Sequence, residues 1–277
     1  MASGQALKNT LKRGIRAAAR AAGPWLDAAP APARILTYHS IGHRRYEMNV
    51  TPEAFATQIA WLAEACPLIS LEAAAAGTPG VAITFDDGYR DNLIHALPVL
   101  EQHGCPATLF AVSACLGGTL PFEKEPETGA LLSGDELREL ATRGIAIGGH
   151  TRRHPRLSTL PEAAQEAEIA GCRSDLEQIL GQPVTAFAYP YGAAPDYDAT
   201  SVRLVRAAGF TLACSNRYGP VQAGDAPFTL RRIGIDSTDT LASFRDKVSG
   251  RLDLLRLQDS ARIARARRWL NRGLGTE

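Results

Sequence analysis

Short apolar runs alternate with segments of helical periodicity along most of the chain. The β-like runs occupy 34–38, 80–85, 107–112, 145–149, 185–189, 210–214 and 229–235. Between them, apolar residues recur at helical spacing in 52–65, 91–102, 133–143, 161–180 and 200–208. Strands that alternate with helices are typical of parallel βαβ units. The pattern therefore predicts an α/β fold with a parallel sheet, and it predicts a long loop over 113–132, which has no period.

Residues that favour helix ends mark the boundaries of several of these helices. Thr51 precedes Pro52, and proline is common at the first helical position. Ser133 and Glu136 have the spacing of a capping box. Gly181 follows the longest helical segment, where a left-handed residue commonly ends a helix. These signals indicate well-defined helices between the strands.

The chain divides into one central domain and two terminal segments. It has 277 residues, and an α/β barrel commonly takes about 250 as a single domain. Residues 1–32 combine a basic helical pattern with a linker rich in Pro and Ala, 33–250 carry the alternating pattern, and 251–277 form a basic amphipathic helix. Such helices lie on anionic membrane surfaces. Peripheral membrane contact is therefore one prediction, and packing of these helices against the central domain is the alternative.

Composition narrows the class of protein only a little. The net charge of +1 argues against a dedicated nucleic-acid binder. No run has the length and apolarity of a signal peptide or a membrane-spanning helix, so we expect a cytoplasmic protein, with the inner membrane face as its peripheral site. The five cysteines are scattered without metal-ligand spacing, which predicts unpaired core residues. Nothing in the sequence indicates the oligomeric state.

Two adjacent carboxylates follow one of the apolar strands. Asp86 and Asp87 come directly after 80–85, and Gly88 permits a sharp turn there. Two neighbouring carboxylates are costly to hold together unless a cation or a proton lies between them. A divalent cation would satisfy one, and the other would then be free to act as a base. A simple Asp-Asp-Gly turn with solvated side chains is the alternative.

Two histidines follow another strand, four residues apart. His150 comes directly after 145–149, and Pro155 disfavours helical geometry at His154. The pair is therefore expected on a tight turn at a strand end, with both imidazoles able to point inward. Two unconnected polar loop residues are the alternative for this motif alone.

The carboxylates and the histidines are expected to lie close together, because the carboxyl ends of parallel strands form one edge of the fold. One carboxylate and two imidazoles make a ligand set that leaves coordination positions open for water and substrate. Zinc is the leading candidate, and cobalt, nickel and iron also accept these ligands. A bound ion would polarise a carbonyl oxygen and lower the pKa of its water. The residues thus predict a hydrolase of amides or esters.

Three ordered motifs resemble the polysaccharide deacetylase (NodB-type) family of carbohydrate esterases. They are Thr-Phe-Asp-Asp-Gly at 84–88, His-Thr-Arg-Arg-His-Pro at 150–155 and Tyr-Pro-Tyr-Gly at 189–192, and the similarity covers 34–244. The resemblance implies a distorted (β/α)7 barrel flanked by terminal helices. It also implies removal of N-acetyl groups from amino sugars, with an N-acetylated polysaccharide or its lipid-linked precursor as substrate.

The resemblance also implies a role for each matching residue. Asp86 corresponds to the general base, and the metal ligands correspond to Asp87, His150 and His154. The third motif corresponds to the substrate loop, formed by Tyr189, Pro190 and Tyr191. The backbone N–H of Tyr191 would help to stabilise the tetrahedral oxyanion.

Two departures from the family pattern need replacements. Many members orient the base aspartate with an arginine two residues before the proline of the third motif, where this chain has Ala188. Our hypothesis is that Arg231 or Arg232, on the last predicted strand, reaches the same carboxylate, and both are predicted among the substrate-binding residues. Many members also take the general acid from a late histidine, and no histidine follows His154 here.

A branch that resembles the poly-N-acetylglucosamine deacetylases carries the equivalent histidine near the N-terminus, in a Tyr-His motif. The segment Leu-Thr-Tyr-His-Ser-Ile at 36–41 fits this branch, so His39 is predicted to protonate the leaving amine. A strand-end histidine bonded to a backbone carbonyl is the alternative.

Other functions remain open on the same residues. An O-acetyl esterase or a deformylase would keep the site and change the substrate. A catalytically silent sugar-binding module would have no need of Asp86 beside the ligand Asp87. A glycosidase fits poorly, because its two carboxyls stand roughly 5–10 Å apart and usually come from different strands.

Overall fold

Seven parallel strands close into a barrel in the computed structural model, which describes residues 32–44, 46–123, 129–222 and 224–259. Each strand pairs with the next in sequence, and the last pairs with the first. The strands are β1 (Arg34–Tyr38), β2 (Val81–Phe85), β3 (Ala107–Ala111), β4 (Ala146–Gly149), β5 (Ala186–Ala188), β6 (Leu212–Tyr218) and β7 (Leu230–Gly234). The predicted (β/α)7 barrel is confirmed.

Helices on the outside of the barrel connect most of the strands. They are α1 (Pro52–Ala65), α2 (Leu71–Ala75), α3 (Leu97–Gln102), α4 (Gly134–Thr142), α5 (Glu162–Leu180), α6 (Ala199–Ala207) and α7 (Leu241–Val248). The Thr51 side chain caps α1 by accepting from the Ala54 N–H, and Ser133 and Glu136 form the expected capping box on α4. Gly181 ends α5 in the left-handed conformation. These caps satisfy backbone groups that a helix end leaves unpaired.

Side chains along each strand point alternately out of and into the barrel, and the two sets form two separate hydrophobic cores. Side chains that point outward from the barrel pack against the helices, as Leu36, Ile83 and Leu109 do. The opposite set fills the barrel interior and is mostly small, with Phe110 as the one aromatic ring in this inner cluster of described residues. Gly148 makes room for that ring, because a Cβ at this position would lie 2.5 Å from the Phe110 Cδ1 atom. A narrow barrel needs such alternation of small and large side chains.

The barrel is irregular at the strands that carry the third motif. β4 and β5 share a single pair of facing residues, Gly149 and Phe187. The register between β6 and β7 shifts between Cys214 and Tyr218. A shift of this kind bends the strand and changes the direction of its side chains. The distortion expected from the family resemblance is therefore located at β4–β7.

Several predicted elements need correction. The strand predicted at 210–214 runs instead over Leu212–Tyr218 and extends into polar residues. The helix predicted at 91–102 consists of a π-helical turn, Asn92–Ala96, followed by α3. Helices α2 and α7 were not predicted, and a 3₁₀ turn at Ser113–Cys115 opens the long loop.

The terminal predictions fall mostly outside the described residues. The N-terminal extension lies outside them except for Pro32. Of the predicted C-terminal helix, only 251–259 are described, and Asp253–Asp259 form a 3₁₀ helix there. Within the described part of the chain, no helix is both long enough and apolar enough to cross a membrane. The domain boundaries and the membrane contact stay predictions.

Candidate active site

The carboxyl ends of the strands bring the chemically active residues of the sequence to one end of the barrel. His39 follows β1, Asp86 and Asp87 follow β2, and His150 follows β4. The third motif continues from β5. This is the end at which barrels of this type carry their active sites.

One carboxylate and two imidazoles converge on a common point. The Asp87 Oδ1 atom lies 3.6 Å from the His150 Nε2 atom and 3.3 Å from the His154 Nε2 atom. One potential ligand atom from each of the three residues lies within 4.8 Å of the other two, and all three side chains are buried. This is the arrangement of a facial metal-binding group.

An unusual backbone conformation turns these ligands inward. Among the described residues other than glycine, positive φ angles occur only at Asp87, Thr151, His154 and Tyr191. All four lie in the site motifs, and a β-branched residue such as Thr151 rarely adopts this conformation. The Thr151 Oγ1 atom stabilises the turn by donating to the His150 carbonyl and accepting from the His154 N–H. Local strain of this kind is common at functional sites.

The electrostatics of this group suit a cation. The His150 Nδ1 atom donates to the Ala188 carbonyl at 2.8 Å in the neutral tautomer, which leaves the lone pair of Nε2 directed at the group. Burial lowers the pKa of His150, and burial together with His150 lowers the pKa of His154 to about 3. Burial and the neighbouring Asp86 charge raise the pKa of Asp87. Its buried Oδ1 atom has no hydrogen-bond donor among the described residues. The group thus fits a divalent metal ion.

The second carboxylate of the pair is held by an arginine. Arg232, on β7, donates from its Nη1 and Nη2 atoms to the two Asp86 oxygens, each at 2.6 Å. Burial would raise the pKa of Asp86, but the charge and the hydrogen bonds of Arg232 outweigh it and hold that pKa well below its usual range. Asp86 is therefore an ionised carboxylate with a fixed orientation.

The guanidinium of Arg232 is itself fully enclosed in the barrel. Its Nε atom donates to the Ser215 carbonyl at 3.0 Å, and its Nη2 atom donates to the Asn216 Oδ1 atom at 2.7 Å. With 1% of its surface exposed, Arg232 has no access to substrate, so the predicted substrate contact is replaced by a role in orienting Asp86. The neighbouring Arg231 donates instead to the Tyr218 carbonyl at 3.3 Å. Of the two predicted arginines, only Arg232 reaches the carboxylate.

His39 lies beside these groups at the end of β1. It is buried, with 8% of its surface exposed, and Asp86, Arg232 and His150 are close enough to influence its charge. Burial lowers the pKa of His39 to about 4, although the Asp86 charge acts in the opposite direction. Its Nδ1 atom has no hydrogen-bond partner in the described part of the structure. The structure brings His39 to the site, and its role as an acid stays a prediction.

The third motif contributes a single exposed side chain. Tyr189 is buried, stacks on Tyr197 and donates from its hydroxyl to the Phe228 carbonyl, so a direct substrate contact by its side chain is excluded. Pro190 is also buried, and its carbonyl accepts from the Gly192 N–H. Tyr191 is 44% exposed, and its ring lies 4.9 Å from the His154 ring between centroids. The first two residues of the predicted substrate loop therefore shape it, and the third lines the site.

Phe122 is a site residue that the sequence did not indicate. Its ring contacts the His154 ring at 5.3 Å between centroids, yet 44% of the side chain is exposed. The next residue, Glu123, pairs with Arg44 at 2.6 Å, and both charged side chains are buried. This ion pair anchors the loop that presents Phe122. A lone phenylalanine in a loop without periodicity carries no sequence signal for such a position.

The barrel, the buried Asp-His-His group and the adjacent Asp–Arg pair define a hydrolase of the carbohydrate esterase type. The chain belongs to the polysaccharide deacetylase family, whose model matches residues 73–213. It is 26% identical over 215 residues to YxkH of Bacillus subtilis (strain 168), which carries the name of a polysaccharide deacetylase. That match covers 74% of this chain and 72% of YxkH.

Two solved structures have a similar fold. IcaB from Ammonifex degensii is 25% identical with a TM-score of 0.68, and the match covers 80% of this chain and 97% of IcaB. The Streptococcus pyogenes deacetylase PplD, solved in complex with acetate, is 22% identical with a TM-score of 0.68. That match covers 79% of this chain and 99% of PplD. The polysaccharide deacetylase family predicted from the three sequence motifs is therefore confirmed.

Proposed function

We propose that this protein is a divalent-metal-dependent deacetylase of N-acetylated amino sugars in a polysaccharide or in its lipid-linked precursor. One observation carries the proposal: three potential ligand atoms converge on one point, with an ionised Asp86 directly beside them. The buried Asp87 oxygen without a donor supports a cation at that point. Zinc is the metal we expect from this ligand set.

The metal would be held by Asp87, His150 and His154. When bound, it would polarise an acyl carbonyl and acidify a water molecule. The remaining chemistry belongs to side chains and backbone groups of this chain.

Asp86 accepts the proton of the attacking water. Arg232 fixes both of its oxygens, so Asp86 loses little conformational entropy when it reaches the reactive geometry. The ion pair also keeps Asp86 ionised at neutral pH. A base that is already deprotonated and aligned lowers the entropic part of the barrier.

The protonated form of His39 gives its proton to the departing nitrogen, and the proton that Asp86 takes from water balances this loss over the whole reaction. The Tyr191 N–H donates to the oxyanion. The C–O bond to the water oxygen forms, the C–N bond breaks, and acetate and a free amine result. No acceptor for the Tyr191 N–H is found among the described hydrogen bonds, which leaves this donor available. Backbone N–H groups without an acceptor inside the protein are typical donors of an oxyanion hole.

The exposed aromatic rings favour a sugar substrate. Phe122 and Tyr191 both pack against the His154 ring and expose nearly half of their side chains. Exposed aromatic surface beside a polar site is typical of a ligand-binding groove. The apolar C–H face of a pyranose ring is complementary to such rings. The 26% identity to YxkH, which carries the name of a polysaccharide deacetylase, also supports a carbohydrate substrate.

The test is acetate release from N-acetylglucosamine oligomers by the purified 277-residue protein, with metal analysis of the same sample. Chelation should abolish release and added zinc should restore it. His39→Gln should keep the metal content and lose about 10²–10⁴-fold in kcat. No acetate release from N-acetylated sugars or lipid-linked sugars by the zinc-loaded protein would refute the proposed function. Release only from O-acetylated sugars would favour the esterase instead.

A further inference from the structure

Two neighbouring residues that follow β2 in the sequence form hydrogen bonds with His39 and the two residues after it. Asp91 and Asn92 stand at the start of the π-helical turn Asn92–Ala96, which follows the Asp86–Asp87 pair. The Asn92 Nδ2 atom donates to the His39 carbonyl at 2.8 Å. The Asp91 Oδ2 atom lies 2.5 Å from the Ser40 hydroxyl oxygen, and the Asp91 Oδ1 atom accepts from the Ile41 N–H at 3.1 Å. Three consecutive residues are thus bonded to two adjacent side chains.

The other side of the same segment is bonded to the chain before α1. The Val50 N–H donates to the Ser40 carbonyl, and the Gly42 N–H donates to the Val50 carbonyl, both at 3.0 Å. The Asn49 Nδ2 atom donates to the Gly42 carbonyl at 2.7 Å. The segment 39–42 is therefore held from both sides, with the side chains of Asp91 and Asn92 as the link to the strand that carries the base.

These hydrogen bonds bear on how the His39 ring is oriented. A histidine that transfers protons is usually oriented by a hydrogen bond to its second ring nitrogen. The Nδ1 atom of His39 is buried and has no such partner within the described residues. The position of the ring is then set by its backbone and its packing. The groups that bond this backbone take the place of the usual orienting carboxylate.

The donors and acceptors around Ser40 also indicate the protonation state of Asp91. Ser40 has one hydroxyl proton, but its Oγ atom lies 2.8 Å from the Asn49 Oδ1 atom as well as 2.5 Å from the Asp91 Oδ2 atom. Asn49 cannot be reversed, because its amide nitrogen already donates to the Gly42 carbonyl. A proton on Asp91 satisfies all three oxygens, since it lets Asp91 donate to Ser40 and Ser40 donate to Asn49. A buried acceptor without a donor costs about 1–3 kcal/mol.

We propose that Asp91, as a neutral acid, and Asn92 are positioning residues that hold His39 where it can protonate the leaving group. This inference rests on the proposed function, because it assumes that His39 is the acid. Burial raises the pKa of Asp91, which agrees with the neutral form, although Ser40, the Ile41 N–H, Arg44 and His95 act in the opposite direction.

The experiment compares two leaving groups on the same acyl group. The amine of an N-acetylated sugar must be protonated as it departs, whereas nitrophenolate leaves 4-nitrophenyl acetate without an acid. In Asp91→Ala and Asn92→Ala, kcat for N-acetylglucosamine oligomers should fall about 10–100-fold. Hydrolysis of 4-nitrophenyl acetate should fall by no more than roughly threefold, since it needs no general acid.

Two further variants make the comparison specific. Asp91→Asn should rescue most of the amide activity, because its amide donates to Ser40 and its oxygen accepts from Ile41 as the neutral acid does. Asp135→Ala removes a carboxylate that is 87% exposed on α4 and serves as the matched control. Metal content and thermal unfolding of each variant show whether it is folded and loaded, and Asn92→Ala tests the link if Asp91→Ala fails to fold.

Each outcome has one meaning. Equal losses on amide and ester, or amide losses no larger than those of Asp135→Ala, would overturn the positioning role. An Asp91→Asn variant as impaired as Asp91→Ala would overturn the neutral acid. If the wild type releases acetate from the ester but from no N-acetylated sugar, it is the proposed function that fails.

Discussion

Replacing Arg232 with methionine removes the positive partner of Asp86 from the barrel interior. Methionine can follow the aliphatic part of the arginine side chain and has no charge, so packing of that part is kept while the guanidinium and its ion pair are lost. Five hydrogen bonds of the guanidinium disappear, two of them to Asp86. The carboxylate then lies buried in the barrel without its cation.

The expected loss of stability follows from that burial. Breaking a buried ion pair by removing one partner typically costs about 3–5 kcal/mol, because a desolvated charge is left behind. The free energy of unfolding of a domain of this size falls by about 3 kcal/mol per M of urea, so the unfolding midpoint should fall by roughly 1–1.7 M. The base also loses its alignment, so kcat should fall at least about 10²-fold.

Urea unfolding and acetate release measure the two effects on the same protein. Arg231→Met is the matched control, because it changes the adjacent residue of β7, whose guanidinium reaches only the Tyr218 carbonyl among the described contacts. That variant should lose no more than about 1 kcal/mol, the net contribution of a single hydrogen bond. If the two variants have equal midpoints and equal kcat, the proposed role of the Asp86–Arg232 pair is refuted.

Two further predictions concern packing. Phe122→Ala should raise KM for N-acetylglucosamine oligomers about 2–10-fold with little change in kcat, since an aromatic contact contributes about 0.5–1.5 kcal/mol; an unchanged KM in steady-state kinetics would show that the ring does not contact the substrate. Gly148→Ala should lower the unfolding free energy by about 1–3 kcal/mol, because the new Cβ would lie 2.5 Å from the Phe110 ring and 2.9 Å from the Ala186 carbonyl. Gly234→Ala on β7 is its control in urea unfolding, since nothing lies within 4 Å of the added Cβ, and equal midpoints would contradict the packing argument.

The strands and the ligand group were predictable because their signals are local. Apolar runs of barrel strands are nearly continuous, as in β2, and polar residues placed directly after them stand out. The longer β6 was not predictable in full, because its second half is polar. Asn216 and the Ser215 carbonyl on that strand bond to Arg232, a contact between distant residues that no local pattern reveals.

The choice between Arg231 and Arg232 illustrates the same limit. The two residues are equally polar, and successive side chains of a strand point alternately into and out of the barrel. Which of the two enters the barrel depends on which set of alternate positions faces inward. Leu230 and Ile233 are both apolar but lie on opposite faces of β7, so the sequence pattern does not show which face is inward. Phe122 was missed for a related reason, since its position depends on the distant Arg44–Glu123 ion pair.

The left-handed backbone at Asp87, Thr151, His154 and Tyr191 has a consequence for protein engineering. Copying only the side chains of Asp86, Asp87, His150 and His154 onto another barrel would not transfer the site, because an unrelated scaffold would present them on loops of different curvature. A successful graft would have to transplant the whole turns, including Thr151, which contributes no reactive group. The smallest portable unit is therefore a set of loops.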